Sequence, residues 1–420
     1  MNSIRLKKWY PWMVVGLLWV VALLNYMDRQ MLSTMRDAMA IDIADLESKV
    51  MFGKVMAAFM WIYGFMSPIS GIVADRVNRK WLIVISLGVW STVTLLMGYA
   101  TTYNEVYWLR ALMGVSEALY IPAALSLIAD YFTGKQLSLA IGIHMTGLYM
   151  GQAVGGFGAF VAEQLSWQST FHWFGIIGIV YAFILVVFLY EKRTETVGPK
   201  IEEKQPLAVI LKINMMAIKS SLGMLMTNIA FWTIIFFFAS CSVPGWATKN
   251  WLPTLFADSL NVEMSVAGPI ATITIAFASF IGVMIGGPMA DNWSRKNLKG
   301  RIYTSAIGLT LMIPSLVLMG FGTTFIAAIG AGVLFGLGYG LFDANNMPIL
   351  CQFVSDRSRG TAYGMMNMSG LFIGALATNV LGAMAEKGMM GLGFACMAGA
   401  LCLALILQLS ILKPKTLNME

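Results

Sequence analysis

Long apolar stretches recur from one end of this chain to the other, and they leave little choice of fold. Their spacing predicts helices over 10–34, 52–74, 81–101, 105–131, 136–162 and 171–190. After a charged segment, six more follow over 222–255, 265–290, 301–320, 325–353, 359–385 and 391–412. Each is near the roughly 20 residues that a helix needs to cross the hydrocarbon core of a bilayer. Only 12% of the 420 residues are charged, against about 25% in a soluble globular protein. Most of the surface must therefore face something other than water. A peripheral or single-span protein would show one such stretch and a polar remainder. The expected fold class is an all-α membrane protein with twelve transmembrane helices.

Orientation follows from the basic residues, which concentrate in cytosolic loops. With the N-terminus in the cytosol, 21 of the 28 Lys and Arg residues fall on that side, including Arg79, Lys80, Arg295 and Lys296. The C-terminus is then cytosolic as well. The net charge of +7 is in this light a topology signal and not a nucleic-acid patch. The N-terminal MNSIRLKKWYPW runs straight into a span without a small-residue cleavage site, so no cleavable signal is expected. The four cysteines have no metal-ligand spacing and the two histidines are too few for a metal centre. No cofactor is expected. No nucleophile triad or phosphate loop appears either, so the chain does not read as an enzyme.

The two sets of six spans echo one another. Gly71-Ile-Val-Ala-Asp75-Arg76-Val-Asn-Arg79-Lys80 follows the second span, and Gly287-Pro-Met-Ala-Asp291-Asn-Trp-Ser-Arg295-Lys296 follows the eighth. Glu117 and Asp343 each stand five residues before a proline, in spans four and ten. Gly142, Gly147 and Gly151 in span five answer Gly364, Gly370 and Gly374 in span eleven. Three echoes in register imply an internal duplication. Duplicated halves are the architecture of a rocking transporter with its site at the interface between them. The expected division is a first bundle over 1–190, a cytosolic connection over 191–220 and a second bundle over 221–420.

Charged residues inside spans point to the site. A charge at the bilayer centre costs roughly 2.5–3.5 kcal/mol on insertion scales, so it seldom persists without a role. Span one carries Asn25-Tyr26-Met27-Asp28-Arg29, and span four carries Arg110 and Glu117. Residues seven apart lie on one helix face but differ by about 10 Å in rise, too far to pair directly. Asp28 and Arg29 are adjacent and diverge by about 100°, so they face different partners.

The loop at 71–80 resembles the signature loop of the major facilitator superfamily, with Asn78 where glycine is usual. Together with N-Y-x-D-R at 25–29, R-x3-G-x2-E at 110–117, Trp251-Leu-Pro253 and Arg359-Gly360, the chain resembles the anion:cation symporter family within it. That family includes bacterial hexuronate and galactonate transporters. The resemblance implies two pseudo-symmetric six-helix bundles and proton-coupled symport of a small organic anion, with a hexuronate or aldonate expected. It implies a bacterial inner-membrane location and a monomer whose partners are a carboxylate substrate, protons and lipid. Arg29 would bind the substrate carboxylate, Asp28 and Glu117 would carry coupling protons, and Arg110 would be their switchable partner. Gly71, Asp75, Arg76, Arg79, Lys80, Asp291 and Arg295 would form a conformational latch, held against the other half or the lipid headgroups. Tyr26, Tyr63, Gln152, His144, Asn345, Asn346 and Asn367 are further candidates for contacting substrate. Each could equally serve as an interhelical hydrogen-bonding residue, and Asp343 could belong to the site or to packing. A proton-independent facilitator, or an exporter of another metabolite on the same fold, is the alternative.

Overall fold

The computed structural model describes residues 9–74, 77–132, 134–191, 227, 229–354 and 359–414. Among them there is no strand, and the helices follow the apolar stretches closely. The first half contains α1 (Tyr10–Thr34), the short α2 (Arg36–Ala40), α3 (Lys49–Ala74), α4 (Arg79–Met97), α5 (Tyr103–Glu117) and α6 (Tyr120–Tyr131). It continues with α7 (Gly134–Gly155), α8 (Gly158–Leu165) and α9 (Trp167–Phe188). The second half contains α10 (Ile229–Leu260), α11 (Met264–Ser294), α12 (Gly300–Phe321), α13 (Phe325–Asp343), α14 (Asn346–Cys351), α15 (Arg359–Glu386) and α16 (Met390–Ile411). Among the described residues, eleven segments are long and apolar enough to cross a membrane. The remaining span is α7, which carries His144, Gln152 and several glycines and is correspondingly less apolar.

Spans four and ten, expected as continuous helices, are each broken. Helix α5 stops at Glu117 and α6 starts at Tyr120; α13 stops at Asp343 and α14 starts at Asn346. Proline explains both breaks. Pro122 and Pro348 have no N–H to offer the carbonyls of Ala118 and Ala344 four residues back, and their rings crowd those carbonyls. Each break falls immediately after the acid. Span five is interrupted at Gly156 and Phe157, between α7 and α8.

Large apolar side chains such as Phe65, Ile85, Trp108, Phe277 and Ile326 are exposed. In water such a belt would drive association; on a polytopic bundle it is the lipid-facing surface. Inside, helices approach closely where glycine allows. A Cβ on Gly147 would lie 2.6 Å from the Trp19 carbonyl oxygen, and one on Gly155 would lie 2.7 Å from that of Met27, so α7 rests directly on α1.

Among the described residues the halves meet along two long seams, and α1 also touches α10, where Gln30 Nε2 donates to the Lys249 carbonyl at 2.9 Å. Helix α3 lies against α15 along its length: Gly53 beside Thr378 and Gly382, Gly64 beside Phe372, and Pro68 beside Gly364. Asn367 adds a hydrogen bond across this seam, its Nδ2 donating to Ser67 Oγ at 2.7 Å. The other seam joins α7 and α11, where Gly156 meets Thr272 and Gly268. This contact lies at the bundle end where α1 finishes and α11 begins. The same end is tied by Lys49 Nζ to Asp258 Oδ2 at 2.8 Å, and by the Lys49 backbone N–H to Glu386 Oε2 at 2.7 Å. That end is closed.

Candidate functional site

Between the halves lies a cavity of about 1450 Å³, including its open mouth. Tyr26, Tyr149, Gln152 and Tyr339 line its middle. Ile121, Met145, Met347 and Tyr363 carry it towards the bundle end that bears the loops after α3 and α11. A recess beside Tyr26, Gln152, Trp246 and Lys249 continues towards the closed end and reaches Arg29 and Arg110.

Arg29 lines this recess, and Glu117 is buried behind it as its ion-pair partner. Arg29 Nε donates to Glu117 Oε2 at 2.5 Å, with the two side chains 10% and 0% exposed. Three rings surround the guanidinium: Tyr26 at 4.9 Å, Phe59 at 4.8 Å and Tyr63 at 4.8 Å from its carbon. Such cation–π contacts gain strength where water is excluded. Phe59 also lies 4.7 Å from the Arg110 guanidinium carbon, so one ring serves two arginines. Among the described residues, Arg29 Nη2, Arg110 Nε and Glu117 Oε1 are buried without a hydrogen-bond partner. A recess holding two guanidiniums with unused donors is chemically suited to an oxyanion, which a guanidinium can grip with two parallel bonds.

Asp28 points away from this pair, as its adjacency to Arg29 requires. It is buried, and Thr94 Oγ1 of α4 donates to its Oδ2 at 3.2 Å. Arg110 has no carboxylate within 4.0 Å among the described residues. Its Nη1 instead approaches Met113 Sδ at 3.7 Å. In this conformation the acid held by a cation is therefore Glu117, and Arg29 is the cation that holds it.

The other candidates divide. Tyr26, Tyr63, Gln152, Asn346 and Asn367 line the cavity. His144 is fully buried with its ring edge-on to Tyr120, and it does not line the cavity. Asn345 is buried too: its Nδ2 donates to the Leu341 carbonyl at 2.8 Å and closes the end of α13. Of the latch residues, Asp75 and Arg76 lie outside the described residues, and Gly71 falls within α3. Arg79 pairs with Asp130 and stands 4.0 Å from Glu191, while Lys80 donates to the Val186 carbonyl at 2.7 Å. Those partners belong to the same half, whereas the sequence suggested the opposite half or the headgroups. Asp291 pairs with Arg301 at 3.4 Å, and Arg295 is exposed.

Two residues not singled out from the sequence complete the cavity. Lys249 of α10 places Nζ 4.9 Å from the Trp246 ring centroid, 5.6 Å from that of Tyr26 and 5.9 Å from that of Tyr339. Its position inside an apolar span was the available signal. Phe59 had none, because one phenylalanine in an apolar helix looks like any other. Asp343 is bared to the cavity, and Asn346 Nδ2 donates to its Oδ1 at 3.3 Å.

Residues 18–378 match the model of the Major Facilitator Superfamily. The hexuronate transporter of Bacillus subtilis is 26% identical over 338 residues, which is 77% of this chain and 75% of that protein. The D-galactonate transporter of Escherichia coli is 25% identical over 374 residues, 83% of this chain and 82% of that protein. In structure, a bacterial homologue of the human lysosomal transporter Spinster, solved inward-facing and unoccupied, superposes with a TM-score of 0.76. It is 20% identical and covers 96% of this chain and 97% of its own, a likeness of fold. With the family model spanning most of the chain and two six-helix halves enclosing a polar cavity, the chain belongs to the Major Facilitator Superfamily and is a multi-pass membrane transporter related to carriers of sugar acids.

Proposed function

We propose that this chain is a proton-coupled symporter of a small sugar acid, working in a bacterial inner membrane with both termini in the cytosol. The observation that carries this reading is the buried pair of Arg29 and Glu117 at the cavity. A substrate carboxylate and the Glu117 carboxylate compete for one guanidinium. Protonation of Glu117 removes the competitor, so a proton and an anion bind together more readily than either alone. The basic loops after α3 and α11 support a cytosolic cavity mouth and hence an inward-facing reading of this conformation.

With the cavity open to the periplasm, Glu117 and Asp28 take up protons. Arg29 receives the substrate carboxylate, and polar groups on both halves accept from and donate to its hydroxyls. The halves rock, substrate leaves to the cytosol, and deprotonated Glu117 returns to Arg29. Arg110 shares the Phe59 ring with Arg29 and keeps the recess positive throughout. The division into bundles over 1–190 and 221–420 with a cytosolic connection over 191–220 belongs to the same proposal. So does the latch made by the loops at Gly71–Lys80 and Gly287–Lys296.

The test is uptake of labelled glucuronate, galacturonate and galactonate into proteoliposomes under an imposed inward proton gradient, with Arg29→Ala in parallel. Gradient-driven accumulation that vanishes in the variant supports the reading. Uptake indifferent to the gradient replaces it with a facilitator.

A further inference from the structure

The duplication extends into the site. Arg29 follows Tyr26 by three residues and precedes Gln30; Lys249 follows Trp246 by three residues and precedes Asn250. The interval from Arg29 to Lys249 lies between the interval from Gly71 to Gly287 and that from Glu117 to Asp343, so the two cations occupy equivalent places in the repeat. The geometry repeats with the sequence. Arg29 Cζ stands 4.9 Å from the Tyr26 ring centroid, and Lys249 Nζ stands 4.9 Å from that of Trp246. Each half thus brings to the cavity one cation on an aromatic platform and carries one acid at a proline-induced helix break.

The copies differ in one respect. Glu117 holds Arg29, whereas Lys249 has no carboxylate within 4.0 Å among the described residues. Asp343 lines the same cavity as Lys249 but forms no ion pair with it. A cation removed from bulk water and faced by rings but by no close anion remains costly, and an incoming anion relieves that cost. Tyr26 lies between the two cations, 4.9 Å from one and 5.6 Å from the other, so they are at most 10.5 Å apart. An extended six-carbon chain separates its terminal carbons by about 6 Å. With a charge-assisted hydrogen bond of about 2.8 Å at each end, a fully extended diacid spans about 12 Å, so it reaches both cations in a bent conformation.

We propose that Lys249 is a second carboxylate-binding residue and that the preferred substrates are sugar diacids, six-carbon polyols with a carboxylate at each end. This rests on the sugar-acid reading and narrows it. The uronates and aldonates expected from the sequence carry one carboxylate, which occupies Arg29 and leaves Lys249 unmatched. A diacid joins α1 of one half to α10 of the other through its two ends.

Galactarate and galactonate provide the test, because they share every hydroxyl configuration and differ only in the terminal group. Their affinities for the full-length chain in detergent are measured by calorimetry, with galacturonate alongside. Galactarate should bind at least about tenfold more tightly than galactonate, the scale of one added charge-assisted contact. Lys249→Gln should erase that preference, and Lys249→Arg should preserve it. Galactonate binding as tightly as galactarate to the unaltered chain overturns the inference, as does a Lys249→Gln variant that keeps the preference. Either result leaves the sugar-acid reading standing. If none of the three acids binds the unaltered chain, that reading falls and takes this inference with it.

Discussion

Replacing Glu117 with glutamine probes the coupling step directly. In the structure the Glu117 carboxylate is fully buried and occupies Arg29 at 2.5 Å. A hydrogen bond to a charged group contributes about 1.5–3 kcal/mol net, so a substrate carboxylate that must displace Glu117 is penalised by about 10- to 150-fold. A glutamine side chain is neutral at every pH. Glu117→Gln should therefore bind sugar acid about 10- to 150-fold more tightly than the unaltered chain wherever the Glu117 carboxylate holds Arg29. In the unaltered chain protonation frees Arg29, so affinity rises as pH falls and the two proteins converge in acid. The variant's own titration should be nearly flat. Calorimetry in detergent over a pH series measures both curves. Proteoliposome assays add the transport readout: counterflow persists in the variant, but accumulation against a gradient is lost. Removing one partner of a buried pair also costs stability, about 3–5 kcal/mol at the upper end, so the comparison is made on protein shown to be folded. A variant whose affinity and pH slope both match those of the unaltered chain would refute the competition between Glu117 and substrate.

Other perturbations read other parts of the structure. Arg29→Lys keeps the charge and loses the planar fork, so sugar-acid affinity should drop about tenfold or more; calorimetry with an unchanged affinity would exclude a bidentate grip. Gly268→Leu should wedge the closed end open, because a Cβ there already lies 2.5 Å from the Gly156 carbonyl oxygen. Increased labelling of a cysteine placed near Lys49 by an impermeant maleimide checks this, and unchanged labelling counts against the seal. Lys49→Ala should have a small effect on the same labelling, under about 1 kcal/mol, because exposed ion pairs contribute little and Asp258 is 53% exposed.

Twelve spans were legible because water penalises long apolar helices more strongly than any competing local preference. The breaks after Glu117 and Asp343 were not read as breaks, although Pro122 and Pro348 signal them; in an apolar run the hydropathy pattern continues unchanged across a two-residue turn. Arg29, Glu117 and Arg110 stood out because charge is costly in a span. Their pairing did not, since it depends on which faces of α1 and α5 meet. His144 and Asn345 show the same limit from the other side. Both are polar and lie within spans, yet one is wedged beside Tyr120 and the other caps its own helix. Lys249 carried the same signal as Arg29 and became informative only when placed in register with it.

The seam between α3 and α15 has a consequence for how force moves through the molecule. Its contacts run from Gly53 at one end to Pro68 towards the other, with the Asn367–Ser67 bond across it. A rigid body displaces little near its axis and most at its far edge. If the halves roll on this seam, the α7–α11 side travels furthest, and the small contact of Gly156 with Gly268 and Thr272 is what that travel must unmake. The seam is then the bearing and the glycine contact the catch. Bulk added along α3 or α15 should act on every state alike, whereas bulk added at Gly156 or Gly268 should act on one state alone.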